Sequence, residues 1–137
     1  MQDRLEKLIE SYDVSGVLLD ELRFPDADSC QCPACRAALG RRVGKPWAQG
    51  PAPDDDSEDR RVWLSYRADL IRDLTQTLVA AIRRADPEVA ISAALRPEGA
   101  LDSRGAVVYG QGYEDLTPLF DFVIATAYHR REDLSLS

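Results

Sequence analysis

Residues 14–25 read VSGVLLDELRFP, and the fold class of the chain follows from this segment. The apolar run at positions 17–19 does not alternate with polar residues, which is typical of a parallel strand buried on both faces between helices. The run ends abruptly at Asp20 and Glu21, and Phe24-Pro25 then begins a polar loop. We therefore expect a short buried strand with two consecutive carboxylates at its carboxyl end.

Two further apolar runs have the character of the first. They cover residues 89–95 and 121–128, and Arg96-Pro97 closes the earlier of the two. Helical patterns precede and separate the three predicted strands, at residues 2–11, 34–43, 61–85 and, as a short helix or turn, 113–120. Because buried strands alternate with helices along the chain, we predict an α/β fold with a parallel sheet and right-handed crossover connections.

The composition is that of one globular domain spanning residues 1–137. Apolar residues make up 45%, too many for a disordered chain. Lys and Arg total 17 against 24 Asp and Glu, and the net charge of −7 argues against binding to nucleic acid or to an anionic membrane.

No apolar run approaches the roughly 20 residues of a membrane span. We expect neither partner and no organic cofactor; the localisation stays open, with no secretory signal visible in MQDRLEKLIE.

A surface loop is predicted at about residues 44–59. The segment GKPWAQGPAPDDDSED contains three prolines, two glycines and five acids, which is typical of irregular surface structure. Ser57 is expected to mark the start of the long helix that follows.

The carboxyl ends of the three predicted strands all have ionisable or hydrogen-bonding side chains, and in parallel α/β folds the active site lies at these ends. These residues are Asp20, Glu21 and Arg23 on the first strand, Arg96 on the second, and Tyr128 and His129 on the third. Consecutive strand residues point to opposite sides, so Asp20 and Glu21 can face one substrate only if the chain bends there. Alternatively, either carboxylate forms a salt bridge to Arg23 or Arg96 and merely organises the strand end.

All three cysteines, Cys30, Cys32 and Cys35, lie within six residues. An odd, tightly spaced set is a poor disulfide framework, whereas three thiolates at C-x-C-x2-C spacing suit a metal such as zinc. A tetrahedral site needs a fourth ligand, which the cluster does not supply, and the single His129 is far away in sequence. Unmetallated thiols are the alternative, and a redox role requires that C-x2-C open a helix beside a suitable strand.

Five motifs in order along the chain resemble a known family. They are YDVSGVLLDELRFPD, CQCPAC, W-x2-YR in the long helix, PEVAIS, and YEDL-x4-DFV-x3-AY. Together they resemble the central part of a glycoside-hydrolase-like (β/α)8 barrel, in particular the family-10-like glycosyl hydrolases, whose fourth strand reads D-G-[IV]-x-L-D-[DEY]-x-[RYF]-[FY]-P. The resemblance implies a partial TIM barrel with about three parallel strands, near the fourth to sixth, in a piece of a larger protein. Trp63 and Tyr66 would then pack the long helix against the barrel.

The cysteine spacing also resembles the zinc cysteines of the family 42 β-galactosidases. In that family the cluster follows an Asn-Glu pair that contains the acid/base glutamate, and here Asp20 stands in place of the Asn. This second likeness implies a structural zinc and favours Glu21 as the catalytic carboxylate. The barrel likeness favours Asp20 instead, because Asp20 shares its side of the strand with Gly16 and Leu18, which would face the barrel interior.

The resemblance implies hydrolysis of a glycosidic bond in a polysaccharide or glycoconjugate, with Asp20 or Glu21 as one of two carboxylates. Within this chain, Glu98 is the other carboxylate close behind a strand end. The residues expected to bind the carbohydrate are Arg23, Arg96, Tyr128 and His129. The missing remainder of the barrel, or self-association, would cover the strands, and the isolated chain is expected to be inactive.

Two other functions stay open at this point. One is a non-catalytic carbohydrate-binding or scaffold barrel, because a fold alone does not specify an activity. The other is a small zinc-stabilised α/β interaction domain, which would need its fourth zinc ligand within these 137 residues. A second carboxylate close to Asp20 in space would favour the enzyme.

Overall fold

The computed structural model describes residues 2–26, 29–47, 57–101 and 108–126. The helices and strands in these ranges are α1 (Gln2–Ser11), β1 (Gly16–Leu19), α2 (Pro33–Val43), α3 (Glu58–Ala85), β2 (Ala90–Leu95), α4 (Glu98–Leu101), α5 (Tyr113–Leu116), a 3-10 turn (Thr117–Leu119) and β3 (Phe122–Ala125). None of the described helices is both long enough and apolar enough to cross a lipid bilayer.

The three strands form one parallel sheet in the order β1-β2-β3. Leu18 pairs with Ser92, and Ser92 pairs in turn with Phe122. The predicted α/β class and the parallel pairing of the strands are therefore confirmed. The assignment of this sheet to a partial TIM barrel stays a prediction.

Helix α3 follows α2 in the connection from β1 to β2, and its sequence favours a helix at both ends. The Ser57 hydroxyl accepts the Arg60 amide at 3.1 Å and caps the helix, a bond worth about 1 kcal/mol. Glu58 and Asp59 in the first turn and two arginines in the last favour the helix dipole. The helix therefore begins inside the predicted 44–59 loop, of which residues 48–56 lie outside the described part of the chain.

The helices cover one face of the sheet, defined as the covered face. Its residues are Val17, Leu19, Ile91, Ala93, Leu95 and Val123. Ile9 of α1 and Ile82 of α3 pack against Ile91, and Ile71 of α3 packs with Leu116 of α5 against the carboxyl half of the sheet. Burying each large aliphatic side chain contributes about 1.5–3 kcal/mol.

The opposite face of the sheet, defined as the open face, consists of Leu18, Ser92, Ala94, Phe122 and Ile124. Leu18, Phe122 and Ile124 are 50%, 54% and 43% exposed. The expectation that β1 is buried on both faces is thus wrong for the described residues. Right-handed crossovers between strands in sequential order put the connecting helices on the same side of the sheet, and none of the described helices packs on the open face.

Helix α2 packs against the start of α3 through a separate apolar cluster. Trp47 and Trp63 stack with ring centroids 6.5 Å apart and bury Leu39 between the helices. The resemblance implies that Trp63 and Tyr66 pack the long helix against the barrel; in the structure Trp63 instead joins α3 to α2, with Tyr66 at the edge of the same cluster. This packing holds the segment that contains the cysteines against α3.

Candidate functional site

A cavity of about 240 Å³ lies at the carboxyl ends of the strands, on the open face. Its apolar floor consists of Leu18, Ala94 and Ile124. Its polar rim consists of Asp20, Glu21, Arg23, Arg96 and Thr126. The fold therefore brings four of the six predicted strand-end residues to one cavity. The other two, Tyr128 and His129, lie outside the described residues.

A backbone bend after β1 allows both carboxylates to line this strand-end cavity. The strand ends at Leu19, and Glu21 adopts the left-handed conformation with φ of 56°. That conformation costs a non-glycine residue on the order of 1–3 kcal/mol. The Asp20 side chain offsets part of this cost, because its Oδ1 accepts the Glu21 amide at 2.8 Å. The structure therefore has the bend that Asp20 and Glu21 need in order to face one site.

Two ion pairs neutralise much of the charge around the cavity. Glu21 pairs with Arg23 at 2.6 Å, and Glu98 pairs with Arg96 at 2.7 Å. Asp20 forms no ion pair with any residue that the structure describes. The salt-bridge alternative therefore applies to Glu21, and Glu98 is engaged with Arg96 and does not line the cavity.

Both arginines also contact one aromatic ring. The Arg23 and Arg96 guanidinium carbons lie 5.4 Å and 5.0 Å from the centroid of the Tyr109 ring. Cation–π contacts of this kind contribute about 0.5–1 kcal/mol at exposed sites. Tyr109 thus holds the two guanidinium groups on the same side of the cavity rim.

Gln111 joins the ends of β1 and β2, a role that the sequence analysis missed. Its side chain is fully buried, with Oε1 accepting the Arg96 amide at 3.0 Å and Nε2 donating to the Leu22 carbonyl at 2.9 Å. An added Cβ on Gly99 would lie 2.3 Å from the Gln111 carbonyl oxygen, so α4 also packs tightly on this segment. A glutamine between two glycines is a weak signal, because nothing local indicates which strand ends it reaches.

Arg67 is a second residue whose role the sequence analysis missed. It is fully buried in α3 and donates to the backbone carbonyls of Asp26 and of Val108, the latter at 2.8 Å. Its guanidinium also lies 4.5 Å from the centroid of the Phe24 ring. Arg67 therefore fastens the loop after β1, which leads into the cysteines, to the long helix. The available signal was an arginine on the apolar stripe of α3.

The three cysteines converge as predicted. The Sγ atoms of Cys30, Cys32 and Cys35, which form the cysteine cluster, all lie within 4.8 Å of one another. Cys32 is the N-cap of α2, and its Sγ accepts the Cys35 amide at 3.5 Å. Upstream, Asp26 Oδ1 accepts the amide and hydroxyl of Ser29 at 2.8 Å and 2.7 Å, which links Ser29, the residue before Cys30, to Asp26.

The cysteines differ in acidity because their surroundings differ. The Cys35 amide that donates to Cys32, together with hydrogen bonds from the other two thiols, lowers the pKa of Cys32 to about 7. Burial, reinforced by the neighbouring sulfurs, raises the pKa of Cys35 to about 12. Burial also raises the pKa of Tyr66, and the nearby Cys35 sulfur adds to this effect. Cys32 therefore ionises more readily than Cys35.

The donor set fits a zinc ion. Tetrahedral coordination at Zn–S of roughly 2.3 Å needs sulfurs about 4 Å apart, and small side-chain rotations bring atoms within 4.8 Å to that spacing. Among the described ranges, no His, Asp or Glu joins the three thiols as a metal ligand. Cys32 is exposed, so water can reach the fourth position. The predicted close approach of the three thiols is confirmed, and the fourth ligand is not supplied by the described residues.

Three comparisons with known proteins found no match to this chain. No protein-family model, no curated protein and no solved structure matches the chain. The likeness to the family-10-like and family 42 glycoside hydrolases therefore rests on the motifs alone, and every function drawn from it is a proposal.

Proposed function

We propose that the chain forms an arc of a (β/α)8 barrel that hydrolyses glycosidic bonds in a polysaccharide or glycoconjugate. The observation that supports this most is the strand-end cavity, where two carboxylates and two arginines surround an apolar floor on the open face. In TIM barrels the corresponding position is the mouth of the barrel, where active sites lie.

The sheet geometry supports the barrel part of the proposal. Sequential strand order with helices on one face is the arrangement of neighbouring βα units in a barrel. Leu18, Phe122 and Ile124 would then point into the barrel interior, where they would pack against the inward residues of the remaining strands. Exposed apolar patches of this kind mark surfaces that another structural element covers.

Asp20 is the carboxylate we assign to the substrate. Glu21 pairs with Arg23, whereas Asp20 is exposed, lines the cavity and accepts the Glu21 amide with Oδ1. Asp20 would act as nucleophile, as base or as a ligand to sugar hydroxyls. A glycosidase needs a second carboxylate about 5–10 Å away on the other side of the scissile bond. We propose that this second carboxylate lies on one of the remaining strands of the barrel.

The test is a hydrolysis assay on a panel of glycans with the complete product of the gene. Asp20→Asn is expected to lower kcat by at least a factor of about 100, the low end of general acid–base effects. Glu21→Gln is expected to have the smaller effect, because it loses the Arg23 pair and leaves Asp20 in place. Asp13→Asn, an exposed carboxylate before β1, is the matched control. Full activity in both site variants would refute the assignment.

A non-catalytic carbohydrate-binding barrel is the second candidate. The ion pairs Glu21–Arg23 and Arg96–Glu98 favour it, because they leave Asp20 as the one rim carboxylate without an ion pair among the described residues. A glycan that binds with unchanged affinity to the Asp20→Asn variant, with no hydrolysis by either protein, would support this alternative over the enzyme.

We further propose that the cysteine cluster holds a structural zinc ion. Bound zinc would cross-link the loop before α2 to the first turn of that helix, and it takes no part in the proposed hydrolysis. Purified wild-type chain is expected to contain about one zinc per chain, and Cys32→Ser is expected to lose most of it. Equal and negligible zinc in both proteins would refute the site.

A further inference from the structure

The first turn of α2 has two thiols in different environments. Cys32 caps the helix and is exposed, whereas Cys35, one turn later, is partly buried. Pro33 at the first helical position fixes the backbone between the two cysteines. The C-x2-C segment thus opens an eleven-residue helix, which meets the first of the two conditions for a redox role; the second, a strand beside that helix, is not met by the described residues, because α2 packs against α3.

The geometry brings these two thiols within reach of a disulfide. Their sulfurs lie within 4.8 Å, and Cys32 Sγ already contacts the Cys35 amide at 3.5 Å. Side-chain rotation has to close this distance to the roughly 2.05 Å of an S–S bond. Cys30 precedes the helix and is separated from Cys32 by the single residue Gln31, a spacing too short for relaxed disulfide geometry.

We propose that Cys32 and Cys35 form a reversible disulfide whose formation empties the cysteine cluster of metal. The disulfide depends only on the two thiols of α2. The loss of metal rests on the zinc site proposed above. Cys30 would be left as the single thiol of the cluster, which is too few ligands to retain an ion.

The exchange balances with a low-molecular-weight disulfide as oxidant. The Cys32 thiolate attacks one sulfur of the oxidant, whose S–S bond breaks and releases one small thiolate. The Cys35 thiolate then attacks the Cys32 sulfur and displaces the second small thiolate. Two protein thiols are oxidised, one small disulfide is reduced to two thiols, and the two protein protons pass to the released thiolates. Exposure makes Cys32 the attacking residue, and partial burial makes Cys35 the resolving one.

The primary test counts free thiols in the reduced, metal-free chain after incubation with glutathione disulfide. Alkylation and intact-mass measurement should find one remaining thiol in wild type and none in Cys30→Ser. Cys32→Ser and Cys35→Ser should each keep both remaining thiols or have a single glutathione adduct. Residues 24–35 lie between Arg23 and Arg36 and contain all three cysteines, so a tryptic digest leaves the cysteines in one peptide and the variants assign the disulfide pair.

A second experiment measures whether the cluster releases zinc when the disulfide forms. Zinc-loaded wild type treated with the same oxidant should release its zinc to a colorimetric chelator, and reduction with zinc present should restore it. Two unmodified thiols in Cys30→Ser, or a stable glutathione adduct on Cys32, would overturn the disulfide. Zinc retained after the disulfide has formed would overturn the competition. Because the Cys30→Ser readout uses metal-free protein, a chain that takes up no zinc refutes the metal site without affecting the disulfide result.

Discussion

The two faces of the sheet are built from the same three strands but have different surroundings. On the covered face, Ile91 and Ala93 are fully buried against α1, α3 and α5. On the open face, Leu18 and Phe122 are about half exposed, although they are as apolar as their neighbours. The difference shows that the strand sequences are suited to burial on both sides, while the described helices supply only one of the two layers.

The largest expected effect is the difference in the free energy of unfolding between isoleucine-to-alanine substitutions on the two faces. Ile91→Ala should lower the free energy of unfolding by about 2–5 kcal/mol, because it leaves a cavity in the core. Ile124→Ala, on the open face, should change it by less than about 0.5 kcal/mol in the isolated chain. Urea unfolding followed by circular dichroism measures both variants. Equal losses would mean that both faces are already covered.

The next effect concerns the strand ends on which the cavity depends. Gln111→Leu should cost about 1–3 kcal/mol, because the Arg96 amide and the Leu22 carbonyl lose their buried partner. Gln76→Leu, on an exposed position of α3, is the matched control and should stay within about 0.5 kcal/mol of wild type. If the two variants unfold alike, Gln111 does not join the strands in solution.

The smallest effect lies at the opposite end of the sheet. Asp121 accepts the Ile91 amide at 2.7 Å and pairs with Arg83 at 2.8 Å, and these contacts hold its pKa below the ordinary value of 3.8. Because the folded-state pKa is the lower one, the stabilisation is present above about pH 4 and is lost as the pH falls through the folded value.

Unfolding of wild type and Asp121→Asn at a series of pH values measures this contribution. The stability difference between the two proteins should be constant near neutral pH and shrink toward zero in strong acid. A difference that grows as the pH falls would have the wrong sign for a carboxylate with a lowered pKa, and would assign the effect to another group.

The sequence predicted those parts of the fold that depend on residues close to one another in the chain. Apolar runs located the three strands, and helical periodicity located α3 to within three residues of its start, at Glu58 against the predicted 61. The cysteine cluster was predictable because only a few bonds separate its members. Asp20 and Glu21 were predicted at the strand end, and their shared cavity required a bend that no pattern guarantees.

The missed features depend on contacts between distant segments. Gln111 reaches Leu22 across 89 positions, and Arg67 reaches Asp26 and Val108 across 41 positions each. The expected packing of Trp63 against the barrel was wrong because an apolar residue on a helix does not specify which element it contacts. The burial of β1 was overestimated for the same reason. Apolar residues show that a strand face can be buried, but they do not show which element of the chain covers that face.

The central claim is that the open face lies inside a larger barrel in the complete gene product. Hydroxyl-radical footprinting with mass spectrometry tests it directly at Phe122, with the exposed Tyr12 as an internal reference. We expect Phe122 to be oxidised readily in dilute isolated chain and to be protected in the complete product, while Tyr12 reacts in both. Equal oxidation of Phe122 in the two proteins would contradict the barrel and with it the assignment of the cavity as a barrel mouth.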